Sequence, residues 1–185
     1  PSVHRAFGEP VAVLAGDALI VLAFETLAAS AETRPSRIGP IVRTVARCVG
    51  APSGITAGQA WESEPVIDRD RYHDAKTGAL FAAATMAGAL ATGAAGEPWR
   101  ALGERLGRAY QVADDISDVA GRAVDLGKPV GRDAVLGRSN AALDLGLDGA
   151  VRQLDRLLGE AVDAIPPCPG GKVIIAEPLA DAPGA

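Results

Sequence analysis

One short stretch, QVADDISD, concentrates the polar side chains that could act together. Gln111, Asp114, Asp115 and Asp118 fall at relative positions 0, 3, 4 and 7, which places them on one face of a helix. Carboxylates spaced this way repel one another. They also lie toward the C-terminal end of the helix they would occupy, where the macrodipole opposes negative charge. The nearest cations in sequence, Arg108 and Arg122, are not spaced to neutralise them locally. An arrangement that opposes itself twice calls for an outside cation. An all-oxygen donor set suits Mg²⁺, an ion that keeps waters and is commonly shared with substrate phosphates. The plainer reading is a solvated acidic helix end.

Further candidates lie on either side. LGKPVGRD, beginning at Leu126, supplies glycines, the point charge of Lys128 and the carboxylate of Asp133. Lys128 could meet a phosphate, and Asp133 could hold a metal-bound water. Read alone, the segment is an ordinary charged turn. Lys76-Thr77 stands at the border of an uncharged helix, either as a snorkelling surface lysine or as an ammonium and a hydroxyl facing a diphosphate. Gln59, in GQAWE, is equally open. His4 and His73 have no partner at metal-ligand spacing, and neither a Ser/His/Asp arrangement nor a nucleotide-type phosphate loop occurs.

The elements that must carry these residues read as helices. PVAVLAGDALIVLAFETLAASA (10–31) is one long apolar helix, interrupted by Asp17 and so not a clean membrane span. Pro35, Gly39 and Pro40 mark a break over 32–40, and IVRTVARCV (41–49) follows as a helix. A short segment (53–64) leads to a third long helix from about 71 to 92. Residues 77–96 carry no charge, long enough for a membrane span, but most are Ala, Gly or Thr, which suits close packing inside a bundle. A fourth helix, about 98–119, has Trp99, Leu102, Leu106, Tyr110 and Ala113 as its apolar stripe. A Gly-punctuated loop follows over 121–133. The last helix, 148–164, sets Val151, Leu154, Leu157, Leu158, Ala161 and Val162 on one face. Only Val173–Ala176 has any strand character. The expected fold class is all-α, a single bundle.

Composition agrees. Ala (37) and Gly (22) make up about one residue in three of 185, and aromatics only 4%. That disfavours an aromatic-rich sandwich or barrel. A charge of −5 without a basic run argues against nucleic acid as a partner. Cys48 and Cys168, far apart, form neither a disulfide framework nor a zinc pattern, which fits a cytoplasmic location.

Taken together, these motifs resemble the trans-prenyl diphosphate synthase (polyprenyl synthetase) family. QVADDISD followed by LGKPVGRD is similar to its second aspartate-rich region, KTGALF to its Lys-Thr motif and GITAGQAWE to its Gly-Gln motif. PSVHRAFGEPVAVLAGDALIVLAFE resembles the stretch that follows the first aspartate-rich motif. The order across residues 1–133 is the family's, and 134–170 still fits. GQAWESE, YHDAKTGALF, EPW and IPPCPG resemble bacterial geranylgeranyl diphosphate synthases of carotenoid and bacteriochlorophyll pathways.

The resemblance implies an isoprenoid-synthase-type helical bundle, usually a homodimer without a transmembrane segment. Residues 1–170 would form the C-terminal portion of the domain, and 171–185 an irregular or divergent tail. It implies Mg²⁺-dependent condensation of isopentenyl diphosphate with an allylic prenyl diphosphate, farnesyl to geranylgeranyl diphosphate being the expected case. Asp114 would be the direct metal ligand, with Asp115, Asp118 and Asp133 supporting the metal shell or its waters. Lys76 and Lys128 would contact the allylic diphosphate. Thr77, Gln111 and Gln59 would lie near the reacting carbons. The first aspartate-rich motif would fall upstream of Pro1. Two other readings compete: a non-catalytic partner subunit or fragment of such a synthase, and a terpene cyclase.

Overall fold

Proline and glycine placement decides where the helices begin and end. The computed structural model describes residues 1–30, 33–61, 64, 72, 74–120 and 140–169. α1 (Val3–Phe7) and α2 (Glu9–Ala29) meet at Gly8, whose φ of +87° lies in the left-handed region that favours glycine. Pro10 then sits in the first turn of α2, where its missing N–H has no helical partner to lose.

The expected break over 32–40 is shorter than read: Thr33 and Arg34 lie outside a helix, but 35–40 do not. α3 runs from Pro35 to Val49, with Pro40 inside it. Pro35 is itself a helix starter. Pro40 lies one and a half turns in, so the helix loses one early hydrogen bond and no later one. Its ring is exposed, while Ile38, Ile41, Val45 and Cys48 keep the inward spacing. α4 (Ile55–Trp61) occupies the short segment read as 53–64.

Lys76 and Thr77 do not open an α-helix. They lie in a π-helical turn, Asp74–Gly78, that feeds α5 (Ala79–Thr92). Gly93, with φ +91°, closes α5. Its N–H reaches Leu90 O at 3.0 Å, and the N–H of Ala94 reaches Ala89 O at 3.0 Å, the paired closure of a Schellman end. Ala82, Ala83, Met86 and Ala89 of α5 are buried, so this uncharged helix belongs to the protein interior.

A 3₁₀ turn, Glu97–Trp99, leads into α6 (Arg100–Ala120), the axis of the structure. α5, the π turn, α7 (Ala141–Leu145) and α8 (Leu147–Asp163) all pack on α6. α1 and α7 had no counterpart in the sequence reading. The core forms where α8 meets α6: Ala109, Val112, Ala142, Ala150 and Leu157 make one cluster, and Leu102, Ala161 and Ile165 another.

The expected α6 stripe is corrected in one place. Tyr110 is 56% exposed and stacks at a tilt on Phe81, with ring centroids 5.4 Å apart. Ala109 and Val112 take the buried positions instead, because α8 packs on that side. Val151 on α8 is likewise exposed.

α2 is apolar around its circumference yet buries no residue; Leu14, Leu19 and Val21 are each 66% exposed. By length and composition alone it could cross a membrane, a test that a core helix of a soluble protein or a signal sequence also passes. Residues 121–139 and 170–185 lie outside the described residues, and with them the 121–133 loop, the strand-like run at 173–176 and the 171–185 tail.

Candidate functional site

Three elements converge on the π turn because small residues let their backbones approach. A Cβ on Gly58 of α4 would lie 2.7 Å from the backbone N of Lys76. A Cβ on Gly107 of α6 would lie 2.7 Å from Gly78 Cα, and one on Gly103 only 2.4 Å from Ala82 Cα. Only glycine fits at these separations. Gly103, Gly107 and Gln111 follow one another at four-residue spacing, so they share a face of α6. The two glycines bring that face onto α5 and the π turn. Gln111, one turn on, arrives beside Thr77.

The Thr77 hydroxyl lies 3.5 Å from Gln111 Oε1, a long contact. Gln111 Nε2 donates to Asp115 Oδ1 at 3.0 Å. A carboxylate only accepts, so this bond fixes the carboxamide with its nitrogen on Asp115 and its oxygen toward Thr77. The Lys76 ammonium donates to the Tyr72 hydroxyl and stands 5.0 Å from the centre of that ring. Gln59 is exposed on α4, next to the glycine that packs on Lys76.

The acidic residues separate by environment. Asp115 is 5% exposed, and its other oxygen accepts the N–H of Ala141 at 2.8 Å. Asp114 is half-buried. Asp118 is 6% exposed and pairs with no cation among the described residues. A carboxylate taken from water without a compensating charge is costly, so Asp118, one turn beyond Asp114 on the same helix face, fits a hard cation. Among the described residues no three His, Cys, Asp or Glu side chains converge as a complete metal centre. Lys128 and Asp133 lie outside the described residues.

The sequence reading missed four contributors. Tyr72 carried a signal, since it precedes Lys76 by four residues. Asn140 carried a weaker one, as a capping residue type ahead of Ala-Ala-Leu. Gly103 and Gly107 show a small-residue repeat, but nothing in the sequence tells what they pack against.

Beyond the π turn, a cavity of about 500 Å³ opens between the end of α3 and the start of α6, bordered by Arg47, Cys48, Trp61, Arg100 and Glu104. Glu97 is held below the usual carboxylate range by its hydrogen bond from Arg100, which in turn holds the guanidinium above its ordinary value. Burial pushes the Cys48 thiol up, and Arg100 only partly offsets it. Alkylation of native protein by iodoacetamide at neutral pH is therefore expected to be slow at Cys48, to quicken as pH rises and to become fast on unfolding. Mass-spectrometric labelling checks this; Cys48 labelling at the rate of an unfolded thiol at pH 7 would contradict it. The linked stability term has the same sign: a raised folded-state value contributes below the ordinary thiol range and is lost as pH climbs through it.

Known proteins resemble this chain in sequence and fold. The polyprenyl synthetase family model matches residues 1–164. The geranylgeranyl diphosphate synthase of Cereibacter sphaeroides is 51% identical over 170 residues, covering 92% of this chain and 59% of its own length. That of Rhodobacter capsulatus is 48% identical over the same shares. Among solved structures, a Helicobacter pylori geranyltransferase complexed with magnesium and isoprenyl diphosphate superposes with a TM-score of 0.78 at 27% identity, over 97% of this chain and 61% of that one. A protein from Marinomonas sp. MED121, described as a putative farnesyl-diphosphate synthase, gives a TM-score of 0.68 at 29% identity, over 98% of this chain and 64% of that one. The chain thus spans about three-fifths of the length of the curated relatives it matches. With the family model matched over nearly all the described helices, and with the acidic face, the Lys-Thr turn and the Gly-Gln helix packed together, the chain belongs to the polyprenyl synthetase family.

Proposed function

We propose that this chain forms part of a Mg²⁺-dependent prenyltransferase that joins isopentenyl diphosphate to an allylic diphosphate, with farnesyl to geranylgeranyl diphosphate as the reaction. The observation that carries this reading is the pairing of Thr77 with Gln111 beside Lys76, one helical turn before the carboxylate of Asp114 and two before that of Asp118. Ionisation of an allylic diphosphate develops negative charge on the leaving group and positive charge on carbon. Fixed groups aimed at both are the main catalytic need.

Asp114 and Asp118 would hold Mg²⁺, with Asp133 expected to support the metal shell and Lys128 to contact the diphosphate. When bound, the metal neutralises the departing diphosphate. Lys76 supplies an ammonium for the same anion. The oxygens of Thr77 and Gln111 present partial negative charge where the allylic carbon becomes cationic. The Ala-, Leu- and Phe-lined helices around them keep water from the cation. The exposed α2, apolar apart from Glu9, Asp17, Glu25 and Thr26, supports pairing of two copies of the chain along that helix, and two cysteines outside any disulfide support a cytoplasmic setting.

Incubating the full-length protein with radiolabelled isopentenyl diphosphate, farnesyl diphosphate and Mg²⁺ should yield a twenty-carbon diphosphate, from a species sedimenting as a dimer. A released hydrocarbon would identify a cyclase instead. Absence of any Mg²⁺-dependent product would sink the reading and favour a non-catalytic partner subunit.

A further inference from the structure

Asn140 has the largest side chain that is fully buried among the described residues, 1% exposed, and it is tied to the acidic face. Its Oδ1 caps α7 by accepting the N–H of Ala142 at 3.0 Å and of Leu143 at 3.1 Å. Its Nδ2 reaches back 3.4 Å to the backbone carbonyl of Asp115. The Asp115 carboxylate completes the bracket, with one oxygen on the Ala141 N–H and the other on Gln111 Nε2.

We propose that Asp115 and Asn140 are positioning residues: they fasten α6 to the start of α7 and thereby lock the Gln111 carboxamide with its oxygen toward Thr77. This rests on the reaction proposed above, in which that oxygen faces developing positive charge. It also divides labour within the acidic face. Asp114 and Asp118 serve the cation, while both oxygens of Asp115 accept protein N–H groups.

The hydrogen-bond inventory makes the idea sharp. In Asp115→Asn the new carboxamide must present its oxygen to the Ala141 N–H, because that donor cannot turn away. Its NH₂ then faces Gln111. Gln111 has to reverse its own amide, offering oxygen to position 115 and NH₂ to Thr77. The shape is kept and the polarity at the reacting carbons is inverted.

The test uses full-length protein. Asp115→Asn should lower kcat by about 10- to 100-fold, the scale of a misplaced catalytic group. KM and the Mg²⁺ concentration for half-maximal rate should stay within about twofold, a limit we set well below the tenfold that 1.4 kcal/mol represents. Asn140→Ser keeps an oxygen for the α7 cap but has no carboxamide donor for Asp115. Its melting temperature should fall, from the void and the lost bond, and kcat should fall at temperatures where the protein is still folded. The metal-free protein gives an independent readout: the Gln111 side-chain NH₂ resonance, assigned by its loss in Gln111→Leu, should move in Asp115→Asn. A rise of about tenfold or more in the Mg²⁺ requirement, with that resonance unmoved, would make Asp115 a metal-holding group and overturn the proposal. So would Asn140→Ser with wild-type kcat. If wild-type protein condenses no prenyl diphosphate, the reaction reading fails, while the metal-free resonance still decides whether the bracket sets Gln111.

Discussion

Asp114→Ala in the full-length protein is expected to lower prenyl-transfer kcat by about 10²- to 10³-fold, the loss typical of removing one fixed group that stabilises developing charge. The reason begins with helix geometry. Asp114 and Asp118 are four residues apart near the C-terminal end of α6, where both mutual repulsion and the macrodipole act against them. A site of that kind gains most from a divalent cation and loses it steeply when a ligand is removed. Metal-free stability should change little, within about 1 kcal/mol, since a single partly exposed carboxylate contributes on that scale. Steady-state kinetics across a Mg²⁺ series, with thermal unfolding run alongside in EDTA, separates the two effects. Asp155→Asn, on an exposed position of α8, serves as the charge control and should leave both unchanged. Wild-type kcat in Asp114→Ala would remove the metal assignment from this face.

The acidic face was legible in the sequence because its signal is local: 0, 3, 4 and 7 on a helix need no tertiary information. Helix existence was legible for the same reason in α2, α5, α6 and α8. What escaped was set by partners far away in sequence. Pro40 looks like a breaker until the surrounding stripe of Ile38, Ile41, Val45 and Cys48 is packed, at which point one lost hydrogen bond is outweighed. Tyr110 falls on an apolar stripe, yet α8 buries Ala109 and Val112 and leaves it outside. Asp115 is indistinguishable from Asp114 by type. Only the arrival of Asn140 and Ala141, about 25 residues later, turns its carboxylate into a bracket between helices.

The second large effect concerns Gly103, which the sequence shows only as one more glycine. Alanine ordinarily gains about 1 kcal/mol over glycine inside a helix. At Gly159 on α8, where a Cβ would meet nothing within 4 Å, that gain should appear, and Gly159→Ala should raise the melting temperature. At Gly103 the sign should reverse. The added Cβ would stand 2.4 Å from Ala82 Cα and 2.5 Å from both Ala82 N and Phe81 O. These are backbone atoms of α5, so no rotamer change can clear them, and the helices must separate. Overpacking of this kind costs about 1–3 kcal/mol and occasionally more. Gly103→Val adds bulk and a stiff β-branch to the same clash, so a net loss of about 3 kcal/mol or more is expected. The Gly103→Ala/Ala82→Gly double variant should recover little, because trimming the Ala82 side chain leaves the clashing backbone in place. Separation of α5 from α6 also withdraws Thr77 from Gln111, so kcat should fall in Gly103→Ala at temperatures where the protein is still folded. Urea unfolding of the four variants measures the signs directly. A Gly103→Ala protein as stable as Gly159→Ala would mean that the α5–α6 contact is looser than 2.4 Å implies. The glycine face would then no longer explain how the Lys-Thr turn is held against Gln111.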